Sequence, residues 1–357
     1  MAFYIILTFI LFFASFWELF CKSSPQRSWM VLIGLSFLLW CFSWIRWEVG
    51  TDWNSYYEIY DECDIITWME WGFLWLNRLV KYTVDNYSVL LALLGGILFY
   101  FQTKTLKELS VLPLTTLFIM WGAGFANVFF VRQALATSIL LYSIILIEQR
   151  QLKGFLLCVG AATLIHAASI AFIPAYWVYR QRVSIRKFIV LLILACVGGT
   201  VVGNFVLTNL SNMLGGLYQS KVEGYTSMEA EELYNGMSST EMYLRAMVGK
   251  LSIVLMAIAL ISRQYKEKAR GMMNLFLFGI LLLPVTYSLS PYLARICQPY
   301  FTVQVFLMAY IAASFSRLSS RVVVFSIFLM MTLFRLYLKL FVDYGGEAFL
   351  PFQTILF

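Results

Sequence analysis

The chain has 357 residues, of which 61% are hydrophobic and only 13% charged, with a formal net charge of +7. The apolar excess falls in repeated runs of about 20 residues, the length that spans a bilayer, which excludes an ordinary water-soluble domain. The runs are continuous and do not alternate, so a transmembrane β-barrel is excluded too.

In chain order, spans are predicted at 2–20, 28–45, 86–103, 111–126, 127–147, 154–166, 167–179, 188–209, 241–262, 272–289, 293–315 and 321–342. The fold class is all-α: a polytopic membrane protein of about 12 transmembrane or half-spanning helices, forming a single integral membrane domain over 1–357. The first run, Phe3 to Phe20, has no basic residue ahead of it and no small-residue cleavage site, so it is expected to be a retained span. An outer loop covers about 46–85 and opens on Arg46-Trp47-Glu48-Val49-Gly50-Thr51-Asp52-Trp53-Asn54-Ser55-Tyr56-Tyr57. Within it, 68–85 predicts a helix lying in the membrane interface. Glu70, Asn77, Arg78, Lys81 and Asp85 share one face, and Trp68, Trp71, Trp75, Leu79 and Tyr82 the other. Six of the 11 tryptophans lie between Trp44 and Trp75, as an outer aromatic belt requires. A second outer loop, about 210–240, carries Glu223, Glu229, Glu231 and Glu232 among several glycines and is expected to be a mobile lid. A short tail, 343–357, is expected to end outside, as is the N-terminus.

The basic residues sort by side. The short connections Lys22/Arg27, Lys104/Lys107, Arg150/Lys153, Arg180/Arg182/Arg186/Lys187, Arg263/Lys266/Lys268/Arg270 and Arg317/Arg321 obey the positive-inside rule if all face the cytoplasm. The inner side then carries a net +12 and the outer side −5, so the basic excess is a topology signal and not a nucleic-acid footprint. This orientation forces residues 154–179 to enter and return as two short arms turning near His166-Ala167-Ala168. Each arm reaches only about 20 Å, short of the roughly 30 Å hydrocarbon core, which would set the tip on the floor of a depression. The six cysteines lack CxxC spacing and indicate neither a disulfide framework nor a zinc site.

Intramembrane cations are where chemistry is expected. An arginine in mid-span costs about 2.5–3.5 kcal/mol on insertion scales and is tolerated mainly where it faces protein or water. Arg132, Arg245, Arg295 and Arg335 lie in spans toward the outer end, with Arg46 just beyond the second. Guanidinium forks suit phosphate oxygens, and a membrane-embedded diphosphate is the matching ligand. The plain alternative is a packing ion pair or a side chain snorkelling to headgroups. Pro291 and Pro299 flank Arg295 and predict a broken helix there. His166, the single histidine, falls at the hairpin tip, where it can act as a base or as a neutral donor. Asp52 follows Gly50-Thr51, a place where a helix cap or Asx-turn would also explain it. Asp61, Glu62 and Asp64 form a solvated acidic loop or, alternatively, oxygen ligands for a divalent cation. A cap alone would account for Glu70.

Four stretches resemble motifs of the EpsG family, Wzy-like polymerases of bacterial exopolysaccharide, capsule and O-antigen. Val49-Gly50-Thr51-Asp52-Trp53-Asn54-Ser55-Tyr56-Tyr57 is similar to the family's G-T-D-aromatic…Tyr motif, and Glu70-Trp71-Gly72-Phe73 to its E-x-G-aromatic opening. Phe130-Val131-Arg132-Gln133-Ala134-Leu135-Ala136 resembles its R-Q-x-x-A helix start. Ile165-His166-Ala167-Ala168 resembles its H-x-S/A turn, with the hydroxyl residue arriving only at Ser169. The likeness covers about residues 40–180. It implies a GT-C-like architecture in the bacterial cytoplasmic membrane and a glycosyltransferase activity. The enzyme would move a growing glycan from undecaprenyl diphosphate to the non-reducing end of a lipid-linked repeat unit at the outer membrane face. It implies no cofactor and no metal, with a flippase and a chain-length regulator as partners and no nucleic acid. On this reading Arg132 and Arg295 hold the diphosphate, and Arg46, Arg245, Arg335, Glu70 and Gln133 are further substrate-binding residues. Asp52 or His166 takes the acceptor proton, and Tyr56 and Tyr57 stack on sugars. The rival readings are a lipid-linked oligosaccharide flippase and a membrane O-acyltransferase acting on glycans.

Overall fold

The computed structural model describes residues 1–21, 24–129, 131–214, 239–287, 291–342 and 347–356. Among them every named element is helical, and the only β contact is an isolated bridge between Arg46 and Thr354. Among the described residues eight helices are long and apolar enough to cross a membrane, and two shorter apolar stretches, Leu152–Ile165 and Ala167–Val178, are not. By its contacts the chain divides into two compact units, Met1–Ile170 with Met308–Phe357, and Ala171–Leu307.

The first unit starts with α1 (Ala2–Phe20) and α2 (Pro25–Trp44). α1 buries Tyr4, Leu7, Thr8, Leu11, Ser15 and Leu19 at three- and four-residue spacing, and leaves Phe9, Phe13 and Phe16 exposed. An exposed face as apolar as the buried one is the pattern of a helix in lipid. α2 begins with proline in its first turn, and the Ser24 hydroxyl accepts from Arg27 N. Two short helices follow, α3 (Trp53–Asp61) and α4 (Trp71–Thr83). Then comes α5 (Tyr87–Leu109), whose Asn86 cap accepts from Ser88 N and Val89 N. α6 (Pro113–Gly124) and α7 (Val131–Glu148) are joined by a reversal in which Phe125, Ala126 and Asn127 all adopt left-handed backbone, φ 51°, 48° and 68°. Three such non-glycine residues in a row are costly and persist only where surrounding packing fixes them. α7 packs between α5 and α8 (Leu152–Ile165). α15 (Leu318–Tyr337) lies against α6 and α1.

Polar side chains join these apolar helices as expected where hydrophobic contact alone cannot choose a partner. Ser15 donates to Thr115 (3.2 Å), Trp121 Nε1 to Thr8 (2.9 Å) and Trp40 Nε1 to Ala92 O (2.8 Å). The unit has two faces. On one, Tyr4 hydroxyl donates to Phe349 O and Ile355 N to Ile45 O, which joins the start of α1, the end of α2 and the C-terminal segment. On the other, Glu18 near the end of α1 accepts from Leu114 N and Thr115 N at the start of α6, and Arg321 donates to Leu19 O. The first is the loop face and the second the basic face.

The second unit contains α9 (Ala175–Val178), α10 (Ile185–Leu214), α11 (Ser239–Leu260) and α12 (Arg263–Tyr287). The predicted span 293–315 is broken, as its prolines suggested. A 3-10 stretch, Pro291–Cys297, precedes α13 (Gln298–Thr302) and α14 (Gln304–Ala313), and α14 continues into the first unit. Residues 210–214 of the expected lid are the end of α10, Ser239 and Thr240 begin α11, and 215–238 lie outside the described residues, as does part of the tail.

Two expectations change. α4 does not split into one polar and one aromatic face. Phe73, Leu74, Asn77 and Val80 form its buried side, and Asn77 is wholly enclosed, donating to Phe73 O. Trp68, Trp71, Trp75, Leu79 and Tyr82 form the exposed stripe that was expected to meet the membrane. α8 ends at His166, where the turn was expected, and the expected second arm is a 3-10 stretch, Ala167–Phe172, followed by the one-turn α9, which belongs to the second unit. Pro174, which caps α9 and offers no N–H, separates the two pieces.

Candidate functional site

The opening loop is built on Arg46. Its side chain is 2% exposed, with Nε on Ser43 O (3.0 Å) and Nη1 on Val49 O (2.8 Å) and Phe129 O (3.3 Å). Trp53 and Phe129 rings flank the guanidinium at 5.5 and 5.4 Å. Burial pushes its pKa down to about 10, opposed by the field of Tyr87, Tyr4 and Asp52, and it stays charged at any physiological pH. Arg46 therefore supports the loop from beneath and does not present its fork to a ligand. Gly50 explains itself here. Its φ is 122°, and a Cβ would fall 2.8 Å from Arg46 Nη1.

Asp52 stands at the N-cap position of α3, yet its side chain makes no capping hydrogen bond; only its carbonyl accepts, from Tyr56 N. The carboxylate is exposed and has no hydrogen-bonding or ion-pair partner among the described residues. The cap explanation therefore does not account for this aspartate. One turn along, half-buried Tyr56 sets its ring edge-on to Phe73 at 5.8 Å. Tyr57 is 41% exposed beside Trp47 and Tyr87.

Phe73 also lies under Arg132, whose guanidinium carbon is 6.0 Å from the ring. Arg132 forms a salt bridge with Glu70, and both side chains are nearly enclosed, 12% and 8% exposed. The other Glu70 oxygen accepts Ala167 N (3.0 Å). One carboxylate thus ties the start of α4, the start of α7 and the turn after α8. His166 ends α8 in extended backbone, donating its N–H to Ala162 O, and both its ring nitrogens are shielded from solvent. Gly72 permits the junction, since a Cβ there would fall 2.8 Å from Leu164 O. Gln133 is half-buried on the first turn of α7.

The acidic loop is engaged by α4. Lys81 Nζ bridges Asp61 (2.9 Å) and Asp85 (3.1 Å), and Arg78 and Tyr82 reach Asp64. The hydrogen bonds that Lys81 donates to Asp61 and Asp85 raise its pKa, and burial followed by Asp85 pushes Tyr60 up to about 12. Among the described residues no cluster of three His, Cys, Asp or Glu could hold a metal ion.

The structure thus brings Arg46, Asp52, Tyr56, Glu70, Arg132 and His166 together on the loop face of the first unit. Arg335, half-buried on α15, faces a small void beside Gly122, Met308 and Thr332 and has no hydrogen-bonding partner among the described residues. Arg245 and Arg295 belong to the second unit, both exposed. Sequence reasoning passed over Lys250, an intramembrane cation of the second unit 4.5 Å from the Phe301 ring and 3.4 Å from Gln304. Its signal was a lysine midway through a predicted span, read past in favour of the arginines. The C-terminal segment also went unrecognised as part of this neighbourhood. Ala348 O accepts Gly50 N (2.7 Å), and Gln353 O accepts Trp47 N (3.0 Å).

A sequence model of one protein family, described as the EpsG family, matches residues 28–354. No curated protein and no solved structure matches the chain.

Proposed function

Because the chain belongs to the EpsG family, we propose that it is a polysaccharide polymerase of the Wzy type. It transfers a growing glycan from undecaprenyl diphosphate to the non-reducing end of a lipid-linked repeat unit. The loop face then looks out from the bacterial cytoplasmic membrane, an orientation supported by the basic connections at the opposite face. Family membership carries the coarse reading, that of a polysaccharide-polymerase-like membrane protein. The observation that carries the finer one is the uncapped, exposed Asp52 carboxylate on the same face as the Glu70–Arg132–Ala167 junction.

In this proposal Asp52 takes the proton of the acceptor hydroxyl as its oxygen attacks the donor's anomeric carbon. The bond from that carbon to the diphosphate breaks, and the electron pair leaves with the phosphate oxygen. Arg132 stabilises the charge that develops there. The shielded ring of His166 positions the turn and the acceptor, and Tyr56 and Tyr57 offer faces to sugar rings. Arg46 acts through the loop it supports. Arg245, Arg295 and Arg335 share in the proposal through their charge, of the sign a diphosphate requires.

The test is complementation of a strain lacking the gene with Asp52→Asn, His166→Ala, Arg132→Ala and Arg295→Ala, followed by electrophoresis of the glycan. Loss of a general base lowers the rate by roughly 10²–10⁴-fold, so Asp52→Asn should leave single repeat units in place of polymer. Normal polymer from all four well-expressed variants would overturn the site, and loss of even single units at the surface would favour a flippase.

A further inference from the structure

On the basic face of the first unit, the C-terminal ends of α1 and α5 meet the N-terminal ends of α2, α6 and α15 around a cavity of about 460 Å³. That volume is in the range of small-ligand sites. Lys107 and Arg321 line it with Trp29 and Glu18. Lys107 Nζ sits 4.2 Å from the Trp29 ring centroid. Arg321 donates from Nε to Phe315 O (2.7 Å) and from Nη1 to Leu19 O (3.2 Å); these bonds orient its half-buried guanidinium without using every donor.

Among the described residues Glu18 is the one carboxylate of this wall, and its oxygens are taken. They accept Leu114 N (3.1 Å), Thr115 N (2.7 Å) and the Thr115 hydroxyl (2.8 Å), which caps α6. No ion pair joins Glu18 to either cation among the described residues. Lys107 and Arg321 therefore outnumber the Glu18 carboxylate in the cavity wall, and neither is paired with it among the described residues. A pair of an oriented guanidinium and a compact ammonium is the donor set that phosphate oxygens take. Beside it, α1 and α15 expose Phe13, Phe16, Leu318 and Val322, so a ligand with a phosphate in the cavity would find an apolar surface for acyl chains.

We propose that this cavity binds the phosphate of an anionic membrane phospholipid, with its chains lying along α1 and α15. The site is separate from the loop-face chemistry, and its test does not depend on polymerisation.

The full chain would be placed in nanodiscs of zwitterionic phosphatidylcholine doped with phosphatidylglycerol, exchanged into detergent, and the retained phosphatidylglycerol counted by native mass spectrometry. The wild type should retain it. Lys107→Gln should retain about tenfold less, the weakening expected for one lost charge-assisted hydrogen bond. Lys107→Arg should restore retention, and equal thermal unfolding of the variants would show that the fold survives. Soluble glycerol phosphate tests the source. Binding that needs Lys107 but takes glycerol phosphate and not the lipid would overturn the phospholipid assignment. Equal retention by wild type and Lys107→Gln would overturn the site itself.

Discussion

Among single residues, two arginines of similar sequence context have opposite uses. Arg46 spends its donors on the carbonyls of Ser43, Val49 and Phe129. Arg132 is paired with a carboxylate that also binds a backbone N–H on another element. Nothing in the local sequence distinguishes them, since both follow apolar runs toward the same face. Glu70 was legible as a helix cap or a ligand, yet its partners are 62 and 97 positions away. Removing one member of a buried pair leaves the other charge uncompensated, at a cost of about 3–5 kcal/mol. Glu70→Gln and Arg132→Gln should each lower the thermal unfolding midpoint in detergent, and the double variant should unfold later than the sum of the single effects predicts. Additive effects in that double-mutant cycle would show that the pair is not coupled.

At the scale of elements, α4 shows how a correct periodicity can assign the wrong faces. The aromatic stripe was visible because Trp68, Trp71, Trp75, Leu79 and Tyr82 recur at helical spacing. Asn77 counted as polar surface, but it lies on the side that packs in the protein, where Phe73 O satisfies its amide. A helix between lipid and protein has two apolar faces, and sequence pattern alone does not say which one meets the neighbour. Gly72 marks that face. With a Cβ only 2.8 Å from both Cβ and O of Leu164, α4 and α8 would have to part. Overpacking of this kind costs about 1–3 kcal/mol. Gly72→Ala should lower the unfolding midpoint and expose Ala167 N to hydrogen exchange as Glu70 withdraws. Unchanged protection at Ala167 would show that the junction tolerates the methyl group.

For the whole molecule, the first unit is closed by its own last residues. Phe349 is fully buried against Phe125 and Phe129, and Phe352 stacks on Phe42 at 4.4 Å. The same segment accepts the N–H groups of Trp47 and Gly50, five and two positions before the catalytic candidate Asp52. The loop's position thus depends on residues about 300 positions downstream. Truncating a buried phenylalanine to alanine costs about 3–5 kcal/mol. Phe349→Ala should destabilise the unit by that order and reduce polymer formation, while a control at exposed Leu356 should do neither. Full polymer length from a well-expressed Phe349→Ala protein would separate the tail from the site.

The sequence by itself determined the membrane class, most helix positions, the break near Arg295 and the partition of basic connections to one face of the first unit. These follow from the cost of placing polar groups in hydrocarbon, which acts on each segment separately. It also marked Asp52, Arg132 and His166 as unusual. Tertiary structure alone decided that Arg46 lies under the loop, that Glu70 joins three elements and that the tail holds the loop in place. It also set two cations of the basic face around a cavity whose lining carboxylate, Glu18, is paired with neither of them among the described residues. Each of these depends on which distant partner satisfies a buried polar group, and no local pattern carries that information.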